Sequence, residues 1–162
     1  MNLDKDVWEE GFRAGMDMGR LADAIDSEGS ILLTKVTRQR NHDRPEYCLR
    51  IFITNTCYEY LLALQEICFG SGRIVPHAKK GYKGSSGLTC KKDSYRYYIP
   101  AEVFKELLPY LDFVVKKEHK RVAKRFFELT GVGVGHSTTP HTEEEFNELE
   151  KLYLEMKELN RR

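Results

Sequence analysis

Arg20-Leu21-Ala22-Asp23-Ala24-Ile25-Asp26-Ser27-Glu28-Gly29-Ser30-Ile31 joins a helical pattern to a strand-like one without a loop between them. Gly29 is the stop signal, and the alternating SILLTKV pattern starts directly after it. Asp23, Asp26 and Glu28 crowd the end of that helix. A helix C-terminus carries partial negative charge, so each acid there costs about 0.3–1 kcal/mol. Folding alone favours Lys or Arg in this turn. Three acids beside the stop therefore point to a cation site.

Upstream, residues 4–27 read as one helix, with Trp8 and Phe12 four apart on one face. Gly15 and Gly19 are also four apart, and Ala22 extends the small stripe. Each glycine inside a helix costs about 1 kcal/mol relative to Ala. Close approach of another helix would offset that cost. No matching stripe occurs elsewhere in the chain, so the expected partner is the same helix of a second copy.

Downstream, residues 30–40 read as a strand with Ile31 and Leu33 inward and Leu32, Thr34, Val36, Arg38 and Arg40 outward. Lys35 falls on the inward side, which predicts a bulge or early fraying. A turn at 41–45 leads to a strand over 46–54, with Tyr47, Leu49, Ile51 and Ile53 on one face. A helix is expected at 57–68 and a strand at 73–78, where Pro76 marks an edge or a bulge. The Gly-rich, basic stretch 79–92 reads as a hairpin loop before a fourth strand at 94–99. Helices follow at 101–111 and 114–130, the latter with Val115, Val122, Phe126 and Leu129 inward. Residues 131–140 read as a linker. Thr142-Glu-Glu-Glu145 fits a capping box for a last helix over 142–160, whose Phe146, Leu149, Tyr153, Met156 and Leu159 would dock onto the domain. The order predicts an α+β domain spanning 1–162, with a core at 4–130: a four-stranded antiparallel sheet with helices on one face and basic residues on the other.

The 162 residues suffice for one real core, and 41% hydrophobic residues exclude disorder. No apolar run is long enough to span a bilayer, and the acidic, polar start MNLDKDVWEE argues against a signal or transit peptide. Cys48, Cys57, Cys68 and Cys90 lack CxxC spacing, which suggests reduced thiols and an intracellular protein. The net charge of +1 hides an asymmetry. Residues 1–30 carry 3 basic and 8 acidic side chains, net −5, whereas 31–100 carry 12 and 5, net +7. Residues 131–162 carry 4 and 7, net −3. Basic residues interleaved with strands favour a phosphate-binding face over a merely solvated one. The loop at 79–92 lacks GxxxxGK[ST], so no small-molecule substrate is indicated.

Leu21-Ala-Asp-Ala-Ile-Asp-Ser-Glu-Gly29 resembles the motif of the LAGLIDADG homing endonucleases, with Leu21, Ala22, Ile25, Asp26 and Gly29 identical and Glu28 conservative. Ile53-Thr-Asn-Thr56 with Gly70-Ser-Gly-Arg-Ile74 resembles a second landmark of that family, and Leu108-Pro-Tyr-Leu111 with Val115-Lys-Lys-Glu118 a third. The resemblance covers most of residues 7–130 and implies an αββαββα fold. One motif implies a homodimer with Gly15, Gly19, Ala22, Asp23 and Asp26 at its seam. The activity implied is Mg²⁺-dependent double-strand cleavage of a long, near-palindromic DNA site, for intron homing. An intron-splicing maturase or a non-catalytic nucleic-acid-binding protein on the same fold is the alternative.

The resemblance assigns the metal to Glu28 and the backbone carbonyl of Ser27. It makes Asp26 a closure of the helix end, Asn55 a water-orienting residue and Lys116 a basic group near the scissile phosphate. Taken alone, Asn55 reads first as a strand-end cap. His119 stands where the family often has Gln and receives no role. Arg38, Arg40, Arg50, Arg73 and Arg96 become guanine readers, with Thr34 and His77 as weaker ones. Lys79, Lys80, Lys83, Lys91 and Lys92 become phosphate contacts. Asp23 departs from the motif's Gly. Either it pairs with Arg20, on the helix or across the dimer, or the helices cross lower, near Gly19.

Overall fold

In the computed structural model, residues 3–36, 45–84, 87–131 and 142–161 are described, with side chains from Glu9 onward. Arg38, Arg40, the turn at 41–44 and the linker from residue 132 lie outside them. Helix α1 runs Leu3–Glu28, about 39 Å at 1.5 Å per residue. Strand β1 (Gly29–Val36) follows with no intervening residue. A Cβ on Gly29 would lie 2.7 Å from the Ile25 Cα and carbonyl oxygen. Only glycine lets the chain fold back this tightly, and that turn leaves Glu28 at the tip of α1.

Strand β1 pairs with β2 (Glu46–Asn55), β2 with β4 (Ser94–Ile99), and β4 with β3 (Arg73–Ala78), all antiparallel. The sheet order is β1-β2-β4-β3. Ile31 opposes Ile51, Leu33 opposes Leu49, and Ile53 opposes Tyr97, and all six side chains are buried on one face. The register shift between Pro76 and Ala78 sits on the edge strand, so Pro76 marks both an edge and a bulge.

Helix α2 (Tyr58–Ile67) contributes Leu61 and Leu64 to the core, and α3 (Ala101–Leu107) contributes Phe104 and Leu107. Helix α4 (Lys117–Thr130) contributes Val122, Ala123, Phe126 and Phe127, and α5 (Glu143–Leu159) contributes Leu149, Leu152 and Met156. These helices and the buried sheet face share one apolar core. The capping box at Thr142 and Glu145 forms in both directions.

Three local expectations need correction. The helix expected over 101–111 ends at Leu107 and continues as a 3-10 turn at Leu108–Tyr110, because Pro109 cannot supply an α-helical N–H. The helix expected from 114 starts at Lys117, and Val115 is 76% exposed instead of inward, because it belongs to the preceding loop. Strand β1 neither bulges nor frays at Lys35, which pairs in register with Tyr47. Its ammonium reaches Glu150 of α5 at 2.7 Å, and the Tyr47 hydroxyl donates to the same carboxylate. A partner from a distant helix makes an inward lysine acceptable at the margin of the sheet.

Candidate metal site and nucleic-acid interface

Glu28 is exposed at the end of α1, where the last carbonyls of a helix lack intrahelical donors. The Asn55 side-chain amide, at the end of β2, donates to its carboxylate. The Asn55 side-chain oxygen accepts from the Cys57 backbone N–H at 2.8 Å. The amide is thereby oriented from both ends, and Asn55 at once holds the backbone N–H of Cys57, the residue before α2, and partners Glu28. The orienting N–H of Cys57 has no side-chain signature and was invisible in the sequence.

Asp26, two residues earlier, has a different environment. Its carboxylate accepts backbone N–H groups from Val114 (2.5 Å), Val115 (2.9 Å) and Lys116 (2.7 Å). Partial burial acts to raise its pKa, but these three donors and the Lys116 ammonium hold it below the usual carboxylate value. The Lys116 ammonium donates to the Asp26 backbone carbonyl. Burial lowers the Lys116 pKa, while the Asp26 charge acts to raise it. Asp26 thus ties the loop before α4 to the end of α1, and so fixes Lys116 at the helix end that carries Glu28.

Tyr60 of α2 was not anticipated. Burial, then the charges of Glu28 and Asp23, raise its phenol pKa against the opposing effect of Arg20. Buried His119 lies near Lys116, and its pKa is lowered by burial and then by that charge.

Among the described residues, no three His, Cys, Asp or Glu side chains form a self-contained metal cluster. Glu28 and the Ser27 carbonyl are hard oxygen donors on an exposed tip, a set that fits Mg²⁺ with waters and phosphate oxygens completing its shell.

Gly15, Gly19, Ala22, Asp23 and Asp26 line one groove of about 520 Å³, together with Tyr110, Asp112 and Val114. A Cβ on Gly15 or Gly19 would meet nothing within 4 Å. The described residues therefore give no reason for either glycine. Ala22 is already 5% exposed within the chain, and Asp26 is committed to the loop amides, so Gly15, Gly19 and Asp23 are the open part of this face.

The opposite face of the sheet carries Thr34, Arg50, Arg73, His77 and Arg96, interleaved with Phe52, Thr54 and Tyr98. Thr34 donates its hydroxyl to the Cys48 carbonyl at 3.2 Å. Arg50 is exposed with no hydrogen bond or ion pair among the described residues. The Arg73 guanidinium lies 5.4 Å from the Tyr98 ring centroid. The Arg96 guanidinium sits 4.2 Å from the Phe52 ring centroid and meets the His77 Nε2 at 3.0 Å. Burial and the neighbouring Arg96 charge push the His77 pKa down. A guanidinium only donates, so in this contact the His77 Nε2 is the hydrogen-bond acceptor. Lys79, Lys80, Lys83, Lys91 and Lys92 are all exposed along the β3–β4 hairpin, whose arms are bridged at Lys83 and Thr89.

No family model matches the chain, and no curated protein matches it. Solved structures do. The homing endonuclease I-CvuI in complex with its target in the presence of calcium gives a TM-score of 0.66 at 16% identity, covering 91% of this chain and 84% of that one. The archaeal intron-encoded homing endonuclease I-Vdi141I complexed with DNA gives 0.63 at 22% identity, covering 93% and 85%. I-SmaMI bound to an uncleaved DNA target with calcium ions gives 0.63 at 18%, covering 86% of this chain but 45% of that one. I-SmaMI is a LAGLIDADG homing endonuclease. The chain has the fold of these proteins.

Proposed function

We propose that this chain is a single-motif LAGLIDADG homing endonuclease, a homodimer that makes a metal-dependent double-strand break in a long, near-palindromic DNA site. The observation that carries this reading is the Glu28 carboxylate, exposed at the tip of α1 and oriented by Asn55, in a fold shared with DNA-bound homing endonucleases.

Two copies joined along Gly15 and Gly19 bring two α1 tips together, one for each strand of the duplex. In each copy Glu28 and the Ser27 carbonyl would hold a divalent ion, with Mg²⁺ as the physiological choice, and the chemistry it would supply there is polarisation of the scissile phosphate and activation of water. Asn55 keeps the Glu28 carboxylate in one orientation and presents its amide beside the attacking water. Lys116, pinned by Asp26, supplies positive charge near the phosphate as negative charge builds on its oxygens. The outward face of the sheet lies in the major groove, with Thr34, Arg50, Arg73, His77 and Arg96 toward base edges; Arg38 and Arg40, outside the described residues, stay candidate readers from the sequence. Lys79, Lys80, Lys83, Lys91 and Lys92 hold the phosphates that flank the groove. Intron homing is the biological outcome of such a break.

The test is cleavage of the uninterrupted host sequence, rejoined from the DNA on either side of the gene's intron. Wild-type protein should cut it with Mg²⁺ and spare it with EDTA. Glu28→Gln should bind the same duplex and leave it intact. Equal cleavage by Glu28→Gln would remove Glu28 from the site.

A further inference from the structure

Among the basic side chains on the described sheet face, Arg73 rests on one ring, whereas Arg96 is held by both ring contacts and side-chain hydrogen bonds before any nucleic acid arrives. It stands on β4, between β2 and β3, opposite Thr54 on one side and Val75 on the other. Its guanidinium rests 4.2 Å from the Phe52 ring centroid and 6.0 Å from that of Tyr98. Nε donates to the Thr54 hydroxyl at 3.3 Å, and one terminal nitrogen donates to the Tyr98 hydroxyl at 3.4 Å. The other terminal nitrogen meets the His77 Nε2 at 3.0 Å, the shortest of the three. His77 reaches it from the irregular stretch of β3, where a bulge re-aims side chains.

We infer that Arg96, held by Phe52 and His77, is the specificity-determining guanine reader of each half-site, with His77 as its positioning residue. The inference rests on the DNA-endonuclease reading above and names the base that its central contact selects. A guanidinium has five N–H donors in a fixed fork. Three are engaged here, which leaves one on each terminal nitrogen. Two adjacent donors are what guanine O6 and N7 accept in the major groove, and no other base presents that acceptor pair.

Position separates reading from phosphate binding. Phosphates lie at the rims of a groove, whereas the centre of a sheet set into the groove faces its floor. Arg96 is central, while the exposed lysines lie on the hairpin beyond the strands. Pre-ordering also matters. A free arginine loses rotamer freedom on binding, and that cost is already met in a side chain stacked on a ring. Arg50, exposed and unpartnered among the described residues, lacks this advantage.

The experiment selects bound duplexes from a pool of random double-stranded DNA in Ca²⁺, with wild-type protein and with Arg96→Gln, Arg96→Lys, His77→Ala and His77→Gln. Thermal melting of each variant confirms folding. The wild-type pool should contain a fixed G·C pair, symmetric about the centre. Arg96→Gln should lose preference at that pair alone, by roughly ten- to a hundredfold. Arg96→Lys keeps the charge without the fork and should lose most of it. His77→Ala should weaken preference at the same pair, and His77→Gln, which retains an acceptor, should restore it. A purely structural role for His77 would move melting and leave that preference alone, overturning its assignment. An Arg96→Gln pool with wild-type preferences, or with uniformly weaker binding at every position, would overturn the reader. A wild-type pool without any enriched sequence would overturn the site-specific nuclease reading, and this inference with it.

Discussion

The side-chain amide of Asn55 donates to the carboxylate of Glu28, joining the end of β2 to the tip of α1. These residues are 27 apart in sequence, and the pairing of Gly29 with Ile53 brings them together. Asn55→Ala removes the carboxylate's orienting partner and leaves the Cys57 N–H without its acceptor. Partners of metal ligands are worth about ten- to a hundredfold in affinity or activity. Cleavage should fall by that factor while DNA binding, followed by fluorescence anisotropy in Ca²⁺, stays close to wild type. Parallel loss of binding would make Asn55 a fold residue only.

Asp26 supports the site in another way. Three backbone N–H groups converge on one carboxylate, and Asn in its place can satisfy them only in part. Asp26→Asn should cost about 1–2 kcal/mol of stability at pH 7. The pH dependence follows from the lowered pKa. A carboxyl held below its ordinary 3.8 in the folded state contributes stability that is complete above 3.8 and is lost as pH falls through the folded value. The gap between wild type and Asp26→Asn in urea midpoints should therefore be constant near neutrality and narrow below about 3.8. A gap independent of pH would mean that the carboxylate charge contributes nothing.

Gly29 makes a sharper case. A Cβ there meets backbone atoms of Ile25, which cannot rotate aside as a side chain could. Gly29→Ala should destabilise the fold by about 1–3 kcal/mol through overpacking. Cleavage by the remaining folded protein should also drop, because the tip that carries Glu28 must shift. A melting temperature equal to wild type would show that the turn tolerates a side chain.

Much of this was legible because it rests on local chemistry. Alternation in SILLTKV and YCLRIFI encodes which strand face is buried, and Gly29 encodes the turn. The Glu28 position follows from both. The commitments of Asp26 and Asn55 were less legible. Each depends on backbone N–H groups of a distant segment, and every residue but proline carries one, so no residue type marks the donor. The exposed placement of Val115 was hidden for a related reason. Its spacing from Val122 and Phe126 is helical, yet the chain from residue 114 to 116 is held by Asp26 outside the helix. Lys35 was misread because its partner, Glu150, is 115 residues away.

Asp23 is the residue that the motif does not explain, and its neighbours suggest how a dimer accommodates it. Asp23 and Arg20 are both exposed, and no ion pair joins them among the described residues. Both act on Tyr60 with opposite sign, so they share one side of α1. Asp23 lines the groove with Gly15 and Gly19, where a second α1 can approach closely. If two copies join along this groove about a two-fold axis, Arg20 of each would face Asp23 of the other, which would turn a like-charge clash into two ion pairs. Arg20→Glu and Asp23→Arg should each weaken self-association, measured by sedimentation velocity at low salt. Mixing the two variants places opposite charges at both contacts and should restore a dimer. Gly19→Leu should abolish it in either background, since a Cβ there meets nothing within 4 Å among the described residues and the added bulk stands in the groove. Undiminished dimers in all three single variants, or no recovery on mixing, would place the interface elsewhere and leave Asp23 as a solvent-facing acid.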